Sequence, residues 1–153
     1  MPNAFTGKYG PLLIAEIGGN HEGDFEYAKA LTKLAIESQA DYVKFQLYTG
    51  NTLVSPVESP DRNKHFKKFE LSKEQHIELA RMVIDAGRRY TASVWDTDMM
   101  DWIDPYMDFY KVGSGDLTAY ALLAAIAKRK KPIMISTGLA TESEVLDTVA
   151  FIQ

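Results

Sequence analysis

Five short apolar runs recur along the chain, each followed by a stretch of helical character, and this alternation leaves few folds open. The runs are Leu12-Leu13-Ile14-Ala15-Glu16-Ile17-Gly18, Asp41-Tyr42-Val43-Lys44-Phe45-Gln46-Leu47-Tyr48, Tyr90 to Trp95, Phe109-Tyr110-Lys111-Val112 and Pro132-Ile133-Met134-Ile135-Ser136. Near-continuous apolar runs suit strands buried on both faces, and strands separated by helices pair in parallel through right-handed crossovers. A parallel sheet covered by helices follows.

The intervening stretches carry helix signals. Asp24 can cap a helix running to about Ser38, with Ala28, Leu31, Leu34 and Ala35 on one face. Ser72-Lys73-Glu74-Gln75 has capping-box spacing and opens a helix with Ile77, Ala80, Val83 and Ile84 inward and Gly87 as its stop. Met99 to Ile103 reads as a short helical turn ended by Asp104-Pro105. Thr118 is placed to cap a helix from Ala119 to Lys128, and Thr141-Glu142-Ser143-Glu144 repeats the capping box ahead of another. Residues 49–70 show no clear period but contain Pro56, Pro60 and the basic cluster Lys64-His65-Phe66-Lys67-Lys68. So long an excursion reads as a lid.

Two architectures fit a repeated βα unit: an open doubly wound sheet and a (β/α)8 TIM barrel. No G-x-G-x-x-G follows the first run, where Gly18-Gly19-Asn20 leads into His21, and this weighs against a dinucleotide-binding sheet. Polar residues near the strand ends favour the barrel: Glu16, Lys44 with Gln46, the smaller Ser93, Lys111 and Ser136. Strand side chains alternate, so Lys44 and Gln46 share a face while Val43 and Phe45 point to the helices. Polar groups converging from successive strand ends resemble a barrel's C-terminal mouth. A barrel needs eight units and the sequence supplies five. The expectation is therefore one domain over 1–153, the first part of a longer barrel or a piece that pairs with something, with no second domain in this stretch.

The strand ends carry the chemistry. Phe109-Tyr110-Lys111-Val112-Gly113-Ser114-Gly115-Asp116 sets a lysine in an apolar strand, then breaks into a Gly-Ser-Gly turn closed by an acid. A buried lysine needs an anion nearby. Lys44 and Lys111 at matching positions read as a clamp for phosphate or carboxylate, or as a Schiff-base lysine of an aldolase; a packed stem with its amine in solvent is the bland alternative. Glu16 reads as a buried acid, either a general base or the ion-pair partner of Lys44 on the next strand. Asp116 handles protons or caps the following helix. Ser114, Ser136 and Thr137-Gly138 suit phosphate oxygens but also serve as ordinary turn residues.

Other classes are excluded or disfavoured. A formal charge of -4 and the lack of a basic stripe argue against nucleic acid. Without cysteine there is no disulfide, thiolate metal site or cysteine nucleophile. His21, His65 and His76 have no metal-ligand spacing, so no metal site is expected in this stretch. Trp95 and Trp102 read as core or rim. Residues 1–10 lack the features of a signal peptide, and no uncharged run is long enough to cross a bilayer. A soluble, cytoplasmic protein with no membrane partner is the expectation.

Taken in order, Ile14-Ala15-Glu16-Ile17-Gly18 with Asn20-His21-Glu22-Gly23-Asp24, Val43-Lys44-Phe45-Gln46, Phe69-Glu70-Leu71-Ser72, Tyr110-Lys111-Val112-Gly113-Ser114-Gly115-Asp116 and Lys131-Pro132-Ile133-Met134-Ile135-Ser136-Thr137-Gly138 resemble the N-acetylneuraminate (sialic acid) synthase family. The resemblance implies a TIM barrel, homodimeric when whole, that condenses phosphoenolpyruvate with an N-acetylated amino sugar such as N-acetylmannosamine. The products are a nonulosonic acid and phosphate. By position, Lys44, Ser93, Lys111, Ser114 and Ser136 would hold the phosphate with Gln46 beside it, Glu16 would face the enol carbons and water, and Asp116 would handle the proton. A divalent Mn²⁺ or Mg²⁺ is implied, its histidine ligands on later strands, with an antifreeze-like domain later still. The chain departs from the family's usual pattern in Glu22 for asparagine, in Ala92-Ser93-Val94-Trp95 for Ser-Thr-Pro-Phe, and in Asp116 for glutamate. The expectation is that five units alone do not turn over. Two rivals are carried: a Schiff-base aldolase using Lys44 or Lys111, and a non-catalytic half-barrel that binds a phosphorylated ligand or a partner chain.

Overall fold

The computed structural model describes residues 6–153; residues 1–5, half of the stretch on which the leader reading rests, lie outside the described residues. A two-residue hairpin opens the fold, β1 (Thr6–Gly7) with β2 (Gly10–Pro11). It is missing from the expectations because strands this short show no alternation. Asp41 fastens it: one carboxylate oxygen accepts from the Lys8 N–H at 2.8 Å and the other from the Leu13 N–H at 2.9 Å.

Five parallel strands follow: β3 (Ile14–Gly18), β4 (Tyr42–Leu47), β5 (Arg89–Val94), β6 (Met107–Val112) and β7 (Ile133–Ile135). Their spatial order is their chain order, β3-β4-β5-β6-β7. A doubly wound sheet reverses its order at a switch point. Here no reversal occurs, so right-handed crossovers keep the helices on one face and the sheet is a wall of the TIM-barrel type. On β4, Val43, Phe45 and Leu47 are fully buried in the hydrophobic core shared with Leu79, Ala80 and Val83. The alternate residues Tyr42, Lys44 and Gln46 take the other face. Towards the N-terminal ends of the strands, Tyr42, Phe109 and Met134 line a mostly apolar cavity of about 660 Å³.

The helices are α1 (Phe25–Glu37), α2 (Gly50–Leu53), α3 (Pro60–Lys67), α4 (Lys73–Asp85), α5 (Thr97–Ile103), α6 (Tyr120–Ala127) and α7 (Glu142–Ile152). Asp24 caps α1, and both capping boxes form, Ser72 with Gln75 and Thr141 with Glu144. No helix among the described residues is long and apolar enough to cross a membrane.

Three expectations are corrected. Thr118 caps nothing; a 3-10 turn over Ser114–Asp116 delays the helix, whose N-cap is Ala119 without a side-chain bond. Leu34 is 61% exposed, because α1 lays the small residues Ala28, Thr32 and Ala35 on the sheet, leaving Leu34 about 130° round the axis at 100° per residue. In α4 the inward stripe is His76, Leu79, Ala80 and Val83, and Ile84 is exposed instead of inward, since the sequence pattern passes over a histidine as a core residue. The excursion over 49–70, which shows no clear period in the sequence, contains two short helices, α2 and α3. Buried Asn63 donates to the Gly50 and Val54 carbonyls at 2.8 Å each, and Glu70 accepts from the Gly50 N–H. Polar bonds to the backbone hold this segment in place of an apolar stripe, which is why no period shows.

His76 makes the core sensitive to acid. It is 2% exposed, its Nδ1 has no hydrogen-bond partner among the described residues, and burial, followed by the charge of His21, lowers its pKa to about 4. The folded chain thus holds it neutral over a range where the unfolded chain, titrating near 6.5, binds a proton. Its contribution is present above about pH 6.5 and is lost as pH falls towards about 4. Denaturant titrations should show about 2 kcal/mol of stability lost between about pH 7.5 and 5 that His76→Leu does not lose; equal slopes for the two proteins refute this.

Candidate active site at the strand ends

The register of the sheet assembles the polar groups. Glu16 on β3 lies opposite Lys44 on β4, which lies opposite Thr91 on β5; one step further on, Gln46 lies opposite Ser93. The Lys44 Nζ donates to Glu16 Oε2 at 2.5 Å. Lys44 is 8% exposed at its side chain, but Glu16 is 48% exposed, so the expectation of a buried acid is corrected. The carboxylate sits at the open end of its strand, where β3 gives way to a bulge and Gly18 takes a φ of +55°. The Gln46 amide packs against that bend, 3.7 Å from where a Cβ on Gly18 would stand.

Lys111 closes the other side. Its Nζ donates to Ser136 Oγ at 2.6 Å and to the Val112 carbonyl at 2.7 Å. Burial, and next the nearby Lys44 charge, push the Lys111 ammonium below the usual lysine range, while Glu16 and Asp116 pull the other way. The two ammonium groups therefore share one electrostatic environment. Ser136 itself sits just past β7, its N–H donating to the Val112 carbonyl at 3.1 Å. Ser114 opens the 3-10 turn after β6, its Oγ 3.5 Å from the position of a Cβ on Gly138, so the loop after β7 lies against the loop after β6. Ser93 is buried at 5% exposure on β5.

Glu16, Lys44, Gln46, Ser93, Lys111, Ser114, Ser136 and Asp116 thus all lie at or just beyond one end of the sheet. Asp116 does not cap the next helix with its side chain. Its Oδ2 accepts from the Trp95 indole Nε1 at 3.0 Å. Trp95 is the neighbour of Asp116 that sequence reasoning does not reach, because a tryptophan directly after a strand has no feature separating rim from site. His21, read there as a loop residue, is 2% exposed, and its Nδ1 accepts from the Gly23 N–H at 3.1 Å. Gly23 is required: its φ is +84°, and a Cβ there would stand 1.9 Å from the Lys68 carbonyl oxygen. Among the described residues no three His, Asp or Glu side chains come together to hold a metal ion. These residues do not by themselves fit the divalent ion that the resemblance implies.

A model of the NeuB family matches residues 31–153. The N,N'-diacetyllegionaminic acid synthase of Legionella pneumophila is 35% identical over a 154-residue alignment that covers 90% of this chain and 43% of that protein. The human N-acetylneuraminate-9-phosphate synthase is 33% identical over 151 residues, covering 90% of this chain and 42% of that protein. A crystal structure of the N-acetylneuraminic acid (sialic acid) synthetase of Leptospira borgpetersenii matches with a TM-score of 0.86 at 25% identity, over 92% of this chain and 49% of that one. The chain spans less than half the length of these relatives.

The asymmetry of the Lys44–Glu16 pair has a measurable consequence. Glu16→Ala strands a nearly buried ammonium and should cost about 1–3 kcal/mol, whereas Lys44→Met leaves a half-exposed carboxylate that water solvates and should cost less than about 1 kcal/mol. Chemical denaturation of the two variants measures the difference, and equal or reversed costs count against the pair as described.

Proposed function

This chain belongs to the NeuB family, and from that premise we propose that its strand ends form the phosphoenolpyruvate half of the active site of a nonulosonic-acid synthase. The observation that carries the reading is the pair of lysines on one wall, Lys44 and Lys111, with Lys111 already hydrogen-bonded to a hydroxyl, Ser136, on the next strand's loop. Phosphoenolpyruvate is a compact polyanion, and paired ammonium groups with hydroxyls between them suit its phosphate.

In the proposed reaction, C3 of phosphoenolpyruvate bonds to the aldehyde carbon of an open-chain N-acetylated amino sugar, whose oxygen gains a proton. Water adds at C2, the C2–O bond to phosphate breaks, and inorganic phosphate leaves a 2-keto acid. Lys44, Lys111, Ser93, Ser114 and Ser136 hold the phosphate, with Gln46 beside it. Glu16, half open to solvent and already neutralising Lys44, faces the enol carbons and the attacking water. Asp116 handles the proton at the aldehyde oxygen. The divalent ion that the resemblance implies would supply Lewis-acid polarisation of that aldehyde, and no group of the described residues is assigned to hold it. Relatives named for different products, a diacetyllegionaminic acid and a neuraminate 9-phosphate, match this same stretch, which supports assigning it the shared donor and not the choice of acceptor sugar.

One observation favours a second reading. A lysine held below its usual pKa is what Schiff-base chemistry uses, and Lys111 is such a lysine. Borohydride added with pyruvate or a sugar aldehyde separates the two: the synthase reading expects no adduct, and a reduced adduct on Lys111 establishes the aldolase.

Calorimetric titration with phosphoenolpyruvate tests the main reading. Binding should weaken at least about tenfold in Lys111→Met and in Lys44→Met, each loss corresponding to about 1.4 kcal/mol or more. Unchanged affinity in both variants removes the lysine clamp. Turnover is expected only where the remaining barrel strands are supplied, and binding that never leads to turnover in a complete barrel favours a non-catalytic phospholigand-binding role.

A further inference from the structure

The contact between Trp95 and Asp116 joins two strands at the point where the proposed proton transfer occurs. Trp95 follows β5 directly, and Asp116 closes the 3-10 turn after β6, so the 3.0 Å bond from the indole Nε1 to Asp116 Oδ2 ties the loops of neighbouring strands together. Both partners are held. The Trp95 N–H donates to the Leu47 carbonyl at 3.0 Å, extending the β4–β5 ladder past the strand end. Its ring meets Tyr48 edge-on, with centroids 6.0 Å apart and planes at 76°, and Tyr48 in turn meets Phe66 of α3 edge-on at 5.6 Å. Asp116 folds back over its own turn: a Cβ on Gly113 would stand 3.1 Å from Oδ2, so glycine there leaves room for the carboxylate.

We propose that Trp95 is a positioning residue for Asp116, fixing one carboxylate oxygen so that the other, Oδ1, is presented at the mouth of the site to carry the proton. The inference rests on the reading of Asp116 as the proton-handling acid. An indole N–H only donates, so it orients the carboxylate through Oδ2 and neither supplies nor removes a proton. Oδ2 accepts this bond whether or not Oδ1 is protonated, and the bond is stronger to the charged form. The charged groups sharing this end of the sheet are Lys111 on β6, whose ammonium feels the Asp116 charge, Lys44 on β4 and Glu16 on β3. The aromatic chain from Phe66 through Tyr48 to Trp95 also gives the α2–α3 excursion a role: it sets the angle of the indole.

Proton–nitrogen NMR of the indole N–H groups tests the contact on this chain, with Trp102 as internal reference. The Trp95 indole signal should move in Asp116→Asn, which removes the charge that the indole N–H faces, while the Trp102 signal stays put. A Trp95 signal blind to Asp116→Asn overturns the proposal. In the catalytically active form of the protein, Trp95→Phe should lower kcat about tenfold to a hundredfold and leave the phosphoenolpyruvate Kd within about twofold. A folded Trp95→Phe enzyme with unchanged kcat reduces the contact to a structural tie and also overturns it. If Asp116→Asn itself leaves kcat untouched while the indole signal moves, it is the proton-handling reading of Asp116 that fails. Gly113→Ala, which crowds the carboxylate without touching the indole, should reproduce the loss of kcat in milder form.

Discussion

A lysine ammonium almost out of reach of water at the end of a parallel sheet sets the terms for the rest of this molecule. Lys44 sits on the face of β4 opposite the core, and its charge is met by Glu16 one strand away. The compensation is partial by construction: the carboxylate stands half in solvent, so water as well as lysine competes for it. The second ammonium, Lys111, is held below its usual pKa partly by the first. The wall sets two ammonium groups, the carboxylates of Glu16 and Asp116 and a set of hydroxyls at the strand ends, and the two lysines still repel one another there. An anion placed there relieves a repulsion that is already present.

The opposite face of the same strands makes that arrangement rigid. Alternation on β4 sends Val43, Phe45 and Leu47 into a closed core, and a slip of one residue would exchange them for Lys44 and Gln46. The register that opposes Glu16 to Lys44 and Gln46 to Ser93 is therefore enforced by apolar burial behind it. The α2–α3 excursion adds a second support from the side. Asn63 pins it through backbone carbonyls, and its Phe66 reaches Tyr48, so that the aromatic residues following β4 and β5 stand at defined angles over the site.

What could be read in the sequence, and what could not, follows from the range of the interactions. The parallel sheet was legible because buried strands of Val, Ile, Tyr and Phe recur with helical stretches between them, and the caps at Asp24, Ser72 and Thr141 because a cap is a bond over three residues. The polar strand ends were legible because period two separates Lys44 and Gln46 from their apolar neighbours. The β1–β2 hairpin, α2 and α3 were hidden because elements of two to eight residues, fastened by Asp41, Asn63 and Glu70 to distant backbone groups, carry no local period. The phase of α4 went astray on one buried histidine. The Trp95–Asp116 bond spans 21 residues and two loops, and no spacing rule reaches across them.

The charge pattern also argues for an order of events at the site. Lys111 is tied to Ser136 and to its own strand's carbonyl, so its ammonium has a fixed position before any ligand arrives. Lys44 shares a single partner that can turn to water. An anion placed between them would take Lys111 as found and compete with Glu16 for Lys44. In the reaction proposed above, binding the donor and releasing the Glu16 carboxylate would then be one electrostatic step, which is the simplest reason for an otherwise costly pair of lysines to stand on adjoining parts of one wall.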